Sequence, residues 1–245
     1  MRIDHFWQII EATHSSTREE QLKSFRRELR RLTPKELIQF AGIFAELTSS
    51  AFSWDLWLVA WLCQGGRCSD DGFSDFRSWL ISRGRVVYEA ALNDADSLVD
   101  EMRQTERPQF ELFGYVPGQT YREMVNANFP DLDIQHPKEP IGGDWLRPTL
   151  KDRTGSKMLN RCIVFDEMGD EECAAIEQRF PKIWNLCVQR GIITTDTQPT
   201  PTDLPTPGQV AATVDTNQPA DFGAYLKALG DAGQQAYKKK EDQNG

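Results

Sequence analysis

The stretch from Trp54 to Arg85 constrains the fold more than any other part of this chain. It holds four of the seven tryptophans and two of the five cysteines, and it turns around Gly65 and Gly66. Apolar residues recur at helical spacing on both sides of these glycines, which predicts two buried helices joined by a tight elbow. The elbow is therefore the predicted structural centre and the first candidate for a functional site.

Capping signals predict three helices before the elbow. Asp4 and Ser16 are predicted to cap the first and the second helix, and Ser16 forms a capping box with Glu19. The segment Thr33-Pro34-Lys35-Glu36 is a stronger signal for the third, because it combines a cap, a proline in the first turn and a reciprocal glutamate.

The elbow itself contributes the fourth and the fifth helix. Trp54–Cys63 is predicted as the fourth, Ser69 starts the fifth, and Gly84 ends the fifth as a left-handed cap. A further helix is expected over residues 110–127, with Pro117-Gly118 as a potential break.

The pattern after the elbow sets the predicted domain organisation. Residues 1–193 are expected to form one helical globular domain, with an irregular insertion over 128–168. Residues 194–220 are rich in Thr and Pro and predict a disordered linker, and 221–245 form a tail with a short helix. The fold class is all-α, with at most a minor strand at 162–165 and helices over 170–189 that are closed by Gly191.

Composition excludes several classes of function. The net charge of −9 argues against broad binding to nucleic acids or to anionic membranes, which both depend on excess Lys and Arg. The apolar run Leu56–Cys63 is too short to span a bilayer, and the start lacks a signal peptide. Five cysteines without paired spacing indicate a reduced, cytoplasmic protein.

The acidic turn of the elbow has two interpretations. Ser69, Asp70 and Asp71 together suit a helix start, where they complement the positive end of the helix dipole. Alternatively, Asp55 and Asp75 converge with them and form a hard-cation site or an acid–base pair. No ligand spacing enforces the second arrangement, and the structural interpretation is favoured.

The cysteines and arginines of the elbow allow similar alternatives. Cys68 precedes a helix N-terminus, which is expected to lower the pKa of its thiol, but no histidine stands beside it in the sequence. Arg77 is expected to pair with Asp55 or Asp70, and such an ion pair either fixes packing or binds a small anion.

The tryptophans at helical spacing are interpreted as core residues, with an aromatic-lined groove as the alternative. The predicted binding cleft at the elbow combines these aromatic, acidic, basic and thiol side chains. It consists of Asp55, Trp57, Cys68, Ser69, Asp70, Asp71, Asp75, Arg77, Trp79 and Arg83.

The second predicted helix is basic. Residues 18–35 hold three acids and seven bases, and the bases include Arg26, Arg27, Arg30 and Arg31. A solvated face is the default interpretation, and a contact surface for an acidic partner is the alternative.

The elbow motif WDLW-x3-W-x3-GG-x-CSDDGF-x2-FR-x-WLISRGR closely resembles a family of small bacterial proteins, domain-of-unknown-function family 4240. The opening Asp4-x-Phe6-Trp7 and the pair Phe180-Pro181 are similar to that family as well. The resemblance covers roughly residues 1–125 and 172–191, so 128–168 and the tail from 194 resemble additions. It supports the domain boundary and implies no particular chemistry.

These observations favour a non-enzymatic interaction or regulatory module with a protein partner and a small-ligand cleft at the elbow. No cofactor and no metal is expected, because the motifs for P-loops, dinucleotides and zinc are absent. The first alternative is a metal-assisted hydrolase that uses the elbow carboxylates. The second is nucleic-acid binding through the basic second helix, which the net charge makes unfavourable.

Overall fold

A computed structural model describes residues 1–142, apart from Arg67, Glu106, Asp133 and Gln135, and residues 170–193. The chain divides into two units, Met1–Leu186 and Cys187–Gly245. All regular elements of the described residues are helical, and their only β-type pairing is an isolated bridge between Ser53 and Ile141. The prediction of an all-α fold is confirmed.

The helices follow one another with short connections. Their bounds are α1 Ile3–Glu11, α2 Arg18–Leu29, α3 Pro34–Ser50, α4 Trp54–Cys63, α5 Asp70–Ser82, α6 Arg85–Asn93, a 3-10 turn Ala95–Leu98, α7 Val99–Arg103, α8 Glu111–Val125, α9 Asp170–Arg179 and α10 Pro181–Gln189.

The helix starts show which capping predictions hold. The box at Thr33 is confirmed, because its hydroxyl accepts from the Glu36 N–H while the Glu36 carboxylate accepts from the Thr33 N–H. Capping of α2 by Ser16 is wrong by one residue: the Thr17 hydroxyl accepts the Glu20 N–H at 3.3 Å. Asp4 lies inside α1, which starts at Ile3 without a side-chain cap. A polar run such as Ser15-Ser16-Thr17 offers several equivalent caps, and sequence alone does not choose among them.

Helix α8 holds the N-terminal helices together. It packs against α2, α3 and α5, and the Phe113 ring stacks on that of Phe25 with centroids 4.1 Å apart. The predicted helix is confirmed, and the potential break at Pro117-Gly118 does not occur, since Glu111–Val125 is continuous and Pro117 is buried within it. Tertiary packing of one face outweighs the hydrogen bond that proline removes.

Gly84 connects α5 to α6 in a conformation other than the predicted left-handed cap. Its φ of 90° and ψ of 172° lie in a region that is essentially restricted to glycine. A Cβ there would also approach the His14 ring to 3.2 Å. Gly84 thus begins α6 as its N-cap and at the same time allows a close contact with the end of α1.

The end of the described chain is helical as predicted, with Pro181 opening α10 and Gly191 following it at a φ of 66°. The predicted strand at 162–165, the linker 194–220 and the tail 221–245 lie outside the described residues, and so does the insertion beyond residue 142. Within the described ranges, every helix is too short or too polar to cross a bilayer.

Candidate functional site: the elbow and the α3–α8 groove

The elbow between α4 and α5 is built as predicted. Gly65 and Gly66 have φ of 66° and 77°, which L-side chains rarely adopt. The Gly66 N–H donates to the Trp61 carbonyl at 2.9 Å and closes α4. Ser69 opens α5, since its hydroxyl accepts from the Gly72 N–H at 3.1 Å.

The elbow tryptophans belong to the core. Trp57 is 2% exposed and stacks on Phe73 with ring centroids 4.8 Å apart. Its indole N–H donates to the Cys68 carbonyl at 3.0 Å, which ties α4 to the start of α5. Trp79 is also buried, beside Phe76. These contacts agree with the core interpretation rather than with an aromatic-lined groove.

Cys68 does not have the lowered pKa that its position suggested. Burial raises the pKa of its thiol to about 12, and the negative charge of Asp75 adds to the shift. Its described hydrogen-bond contacts are long: the Gln64 amide donates to the sulfur at 3.6 Å, and the thiol donates to the Ser69 carbonyl at 3.8 Å. The thiol stays protonated at neutral pH, which is unfavourable for a nucleophile.

The elbow carboxylates do not converge on a common point. The Asp55 carboxylate bonds the Arg179 guanidinium of α9 at 2.6 Å, whereas Asp70 and Asp71 are exposed. Among the described residues, no three His, Cys, Asp or Glu side chains are grouped so that they could hold a metal ion. The convergence required by the metal-assisted hydrolase alternative is therefore not found in this part of the chain.

Arg77 has aromatic rather than acidic partners. Its guanidinium carbon lies 5.0 Å from the Phe52 ring centre and 4.9 Å from that of Phe73, and one N–H donates to the Thr48 carbonyl at 3.0 Å. Burial lowers the pKa of this guanidinium to about 10, and it remains charged at neutral pH. The predicted pairing with Asp55 or Asp70 is wrong. Cation–π contacts replace it and join α5 to the end of α3.

Arg83 also has a structural contact. Its guanidinium bonds the Glu101 carboxylate at 2.6 Å, with both side chains partly shielded from solvent. This ion pair connects the last turn of α5 to α7.

Asp75 gives the elbow a predictable pH dependence. Burial, followed by the negative charges of Glu111 and Asp71, raises the pKa of its carboxyl from 3.8 to about 6. Because the folded state holds this proton more tightly than the unfolded state, stability falls as the pH rises from about 4 to about 6. We expect Asp75→Asn to stabilise the protein above this window and to be neutral below it. Urea unfolding at both ends of the window measures the difference, and equal effects at the two pH values would contradict the assignment.

The basic side chains of α2 and of the turn after it are exposed, and most of them have an acidic or amide partner. Lys23 bonds Glu19 at 2.6 Å, Arg31 bonds Glu28 at 2.5 Å and Arg30 bonds Glu123 of α8 at 2.7 Å. Arg26 donates to the side-chain oxygen of Gln119 in α8 at 2.9 Å, and Arg27 lies 3.5 Å from the Glu28 carboxylate. These partners reduce the number of bases that a phosphate backbone could engage.

A groove lies between α3 and α8, away from the residues chosen at the sequence level. Its volume is about 400 Å³, within the range of small-molecule sites of about 300–1,000 Å³. Its walls are mainly apolar and small. They include Ala41, Phe44 and Ala45 of α3, and Gly114, Pro117 and Gly118 of α8.

The remaining walls of the groove differ in character at its two ends. Phe129 and Leu132, from the segment after α8, close one side, with Phe129 edge-on to Tyr121 at 5.0 Å. Tyr115 and Arg122 stand at opposite ends of the α8 wall, with Gln119 between them. The groove thus combines an apolar floor with a few polar groups at its rim, which is typical of ligand sites.

Asp96 is a structurally important residue that sequence reasoning missed. Its carboxylate is 3% exposed and accepts the backbone N–H groups of Lys182 and Ile183 at 3.1 and 2.8 Å. A residue 86 positions away thus caps α10, and local capping patterns could not indicate it.

The fold and the site define a helical domain with an apolar groove and with elbow residues engaged mostly in structural contacts. The family model for a protein of unknown function, DUF4240, matches residues 1–123, half of the chain, and the chain belongs to this family. Neither a curated protein nor a solved structure matches this chain. The matched region includes α3 and most of α8, while Phe129 and Leu132 lie beyond it.

Proposed function

We propose that this chain is a non-enzymatic binding or regulatory module and that the α3–α8 groove is its ligand site. The observation that carries the proposal is the open apolar space over Gly118. At the elbow, Cys68 is protonated, Arg77 lies on two phenylalanine rings and Asp55 bonds an arginine. These groups hold the fold together, and the groove offers concave surface instead.

The glycine at position 118 supports a role for the open space. Glycine inside a helix costs roughly 0.5–1 kcal/mol relative to alanine, and it is usually tolerated where a larger side chain would clash. A Cβ at Gly118 would meet no heavy atom within 4 Å, whereas one at Gly114 would come within 2.9 Å of the Ser78 hydroxyl. Packing thus gives a reason for Gly114 but not for Gly118. Gly42 is equally open, but only Gly118 of these two lines the groove, so the space beside Gly118 suits an occupant.

Two substitutions at Gly118 separate the groove from the fold. We expect Gly118→Ala to raise the free energy of unfolding by roughly 0.5–1 kcal/mol and to leave the groove accessible. We expect Gly118→Leu to stay folded but to fill the groove and weaken binding of N-phenyl-1-naphthylamine, an uncharged fluorescent apolar probe, by about tenfold or more. Fluorescence titration of the full chain measures the affinity.

Gly42→Ala is the matched control. Gly42 is an α3 glycine whose added Cβ would also meet nothing within 4 Å, and it does not line the groove. It should stabilise the protein without changing probe affinity. The proposal fails if the wild-type chain does not bind the probe saturably, or if Gly118→Leu binds it as well as the wild type does.

A further inference from the structure

We propose that the natural occupant of the groove is a free small molecule with an apolar body and one carboxylate, and that Arg122 binds the carboxylate. This inference rests on the proposed function of the groove and adds the chemistry and the orientation of its ligand. Four features support it. Arg122 has no carboxylate partner among the described residues, and the polar groups beside it on α8 already have partners. The other end of the groove is acidic, and the length of the groove fits such a molecule.

Arg122 is an available cation at the rim of the groove. It is exposed, it lines the groove, and no carboxylate of the described residues lies within 4 Å of its guanidinium. Arg83 and Arg179 provide the contrast, since each bonds a carboxylate at 2.6 Å. A guanidinium presents a planar set of N–H donors that matches a carboxylate with two parallel hydrogen bonds.

The polar groups nearest to Arg122 along α8 already have partners. The Glu123 carboxylate bonds Arg30 at 2.7 Å, and the Gln119 side-chain oxygen accepts from Arg26 at 2.9 Å. Neither acceptor therefore competes strongly for Arg122, and Arg26 adds positive charge near this end. Arg122 lines the groove whereas Arg26 does not, so a ligand anion in the groove would meet the Arg122 guanidinium.

The opposite end of the groove is acidic, because Glu111 lies one helical turn before Tyr115 on α8. The negative charges of Glu111, Asp75 and Asp71 raise the pKa of the Tyr115 hydroxyl, which records an acidic environment at that end. An amphiphilic anion is thus oriented by the protein, with its charged head at Arg122 and its apolar end toward Tyr115.

The dimensions fit such a molecule. Tyr115 and Arg122 are separated by seven residues of one helix, which corresponds to roughly 10 Å along its axis. Small walls at Ala41, Ala45 and Gly118 leave room for a slender aliphatic chain or a flat ring between them. Decanoate is therefore a suitable probe for the proposed ligand class.

A head-group series tests the inference. Decanoate, 1-decanol and decyltrimethylammonium share the same chain and are compared by displacement of N-phenyl-1-naphthylamine from the full-length protein. We expect decanoate to displace the probe at about tenfold lower concentration than decanol, and the cation to be weakest. In Arg122→Gln, decanoate should displace the probe only at the concentration that decanol needs. The concentration needed for decanol itself should change by less than about twofold relative to the wild type.

Arg103→Gln is the control, because Arg103 is an exposed arginine of α7 outside the groove. This variant should keep the preference of the wild type for decanoate over decanol. Equal displacement by decanoate and decanol in the wild type, or a preference that survives in Arg122→Gln, would overturn the inference and leave the groove as an apolar site. Absence of probe binding in the wild type would overturn the proposed function as well.

Discussion

Phe73→Ala is expected to lower the free energy of unfolding by about 3–5 kcal/mol, as measured by urea denaturation. Phe73 is fully buried, and its ring stacks on Trp57 and lies 4.9 Å from the Arg77 guanidinium. Truncation leaves a cavity between α4 and α5 and removes one of the two rings that shield the Arg77 charge. Both losses act at the same place, since this ring connects the elbow core to the half-buried guanidinium of Arg77.

The size of the effect depends on the ring rather than on the position alone. Phe73→Leu keeps most of the apolar volume and is expected to cost less than Phe73→Ala, because only the ring contacts are lost. Val86→Ala, at a side chain 80% exposed, serves as the control and should stay within roughly 0.5 kcal/mol of the wild type. A loss below about 1 kcal/mol for Phe73→Ala would show that the elbow is not the packed centre of the domain.

Asp96→Ala is expected to cost about 3 kcal/mol in the free energy of unfolding. Its carboxylate is the acceptor for two backbone N–H groups at the start of α10, and one of these bonds is fully buried. Removing the acceptor leaves both donors without their partner in a place that water reaches poorly. Hydrogen exchange should also show faster exchange at the amides of Lys182 and Ile183.

Two further variants calibrate this result. Asp96→Asn keeps one acceptor oxygen, and its free energy of unfolding is expected to lie between those of the alanine variant and the wild type. Asp100→Ala removes a carboxylate from the following turn whose side chain is 80% exposed, and it should be nearly neutral. If Asp96→Ala were as mild as Asp100→Ala, the capping role of Asp96 would be disproved.

Local features of this chain could be predicted from its sequence. The bounds of α4, the start of α5 at Ser69 and the capping box at Thr33 all depend on residues within a few positions of one another. Capping hydrogen bonds and helical periodicity act over this range, so the pattern contains the information. The choice of Thr17 over Ser16 was missed because neighbouring hydroxyls are nearly equivalent caps.

Contacts between distant residues could not be predicted in the same way. Asp55 bonds a residue 124 positions away, and Asp96 caps a helix 86 positions away. The prediction paired Arg77 with Asp55 or Asp70 across the elbow, but α5 directs this side chain toward Phe52 and the Thr48 carbonyl. Such partners are set by helix packing, which a single sequence does not specify.

The groove was missed for a different physical reason. Charged, thiol and aromatic residues form patterns that can be recognised in a sequence. A groove is formed instead by small residues, which leave space between helices. Pro117-Gly118 indicated a potential helix break, yet α8 continues through it and Gly118 faces the groove. A glycine inside a helix costs stability and marks a position of interest, but Gly42 of α3 fits the same pattern without lining the groove, so the sequence alone could not indicate the space.

The most direct test of the groove as the ligand site is an NMR measurement of intermolecular contacts. The full chain with labelled alanine methyl groups is titrated with decanoate, and NOEs between the ligand and the protein are recorded. We expect NOEs from the decanoate chain to the methyl groups of Ala41 and Ala45, which line the groove, and none to Ala90, an exposed residue of α6. Saturable binding with NOEs only to methyl groups outside α3 and α8 would contradict the account.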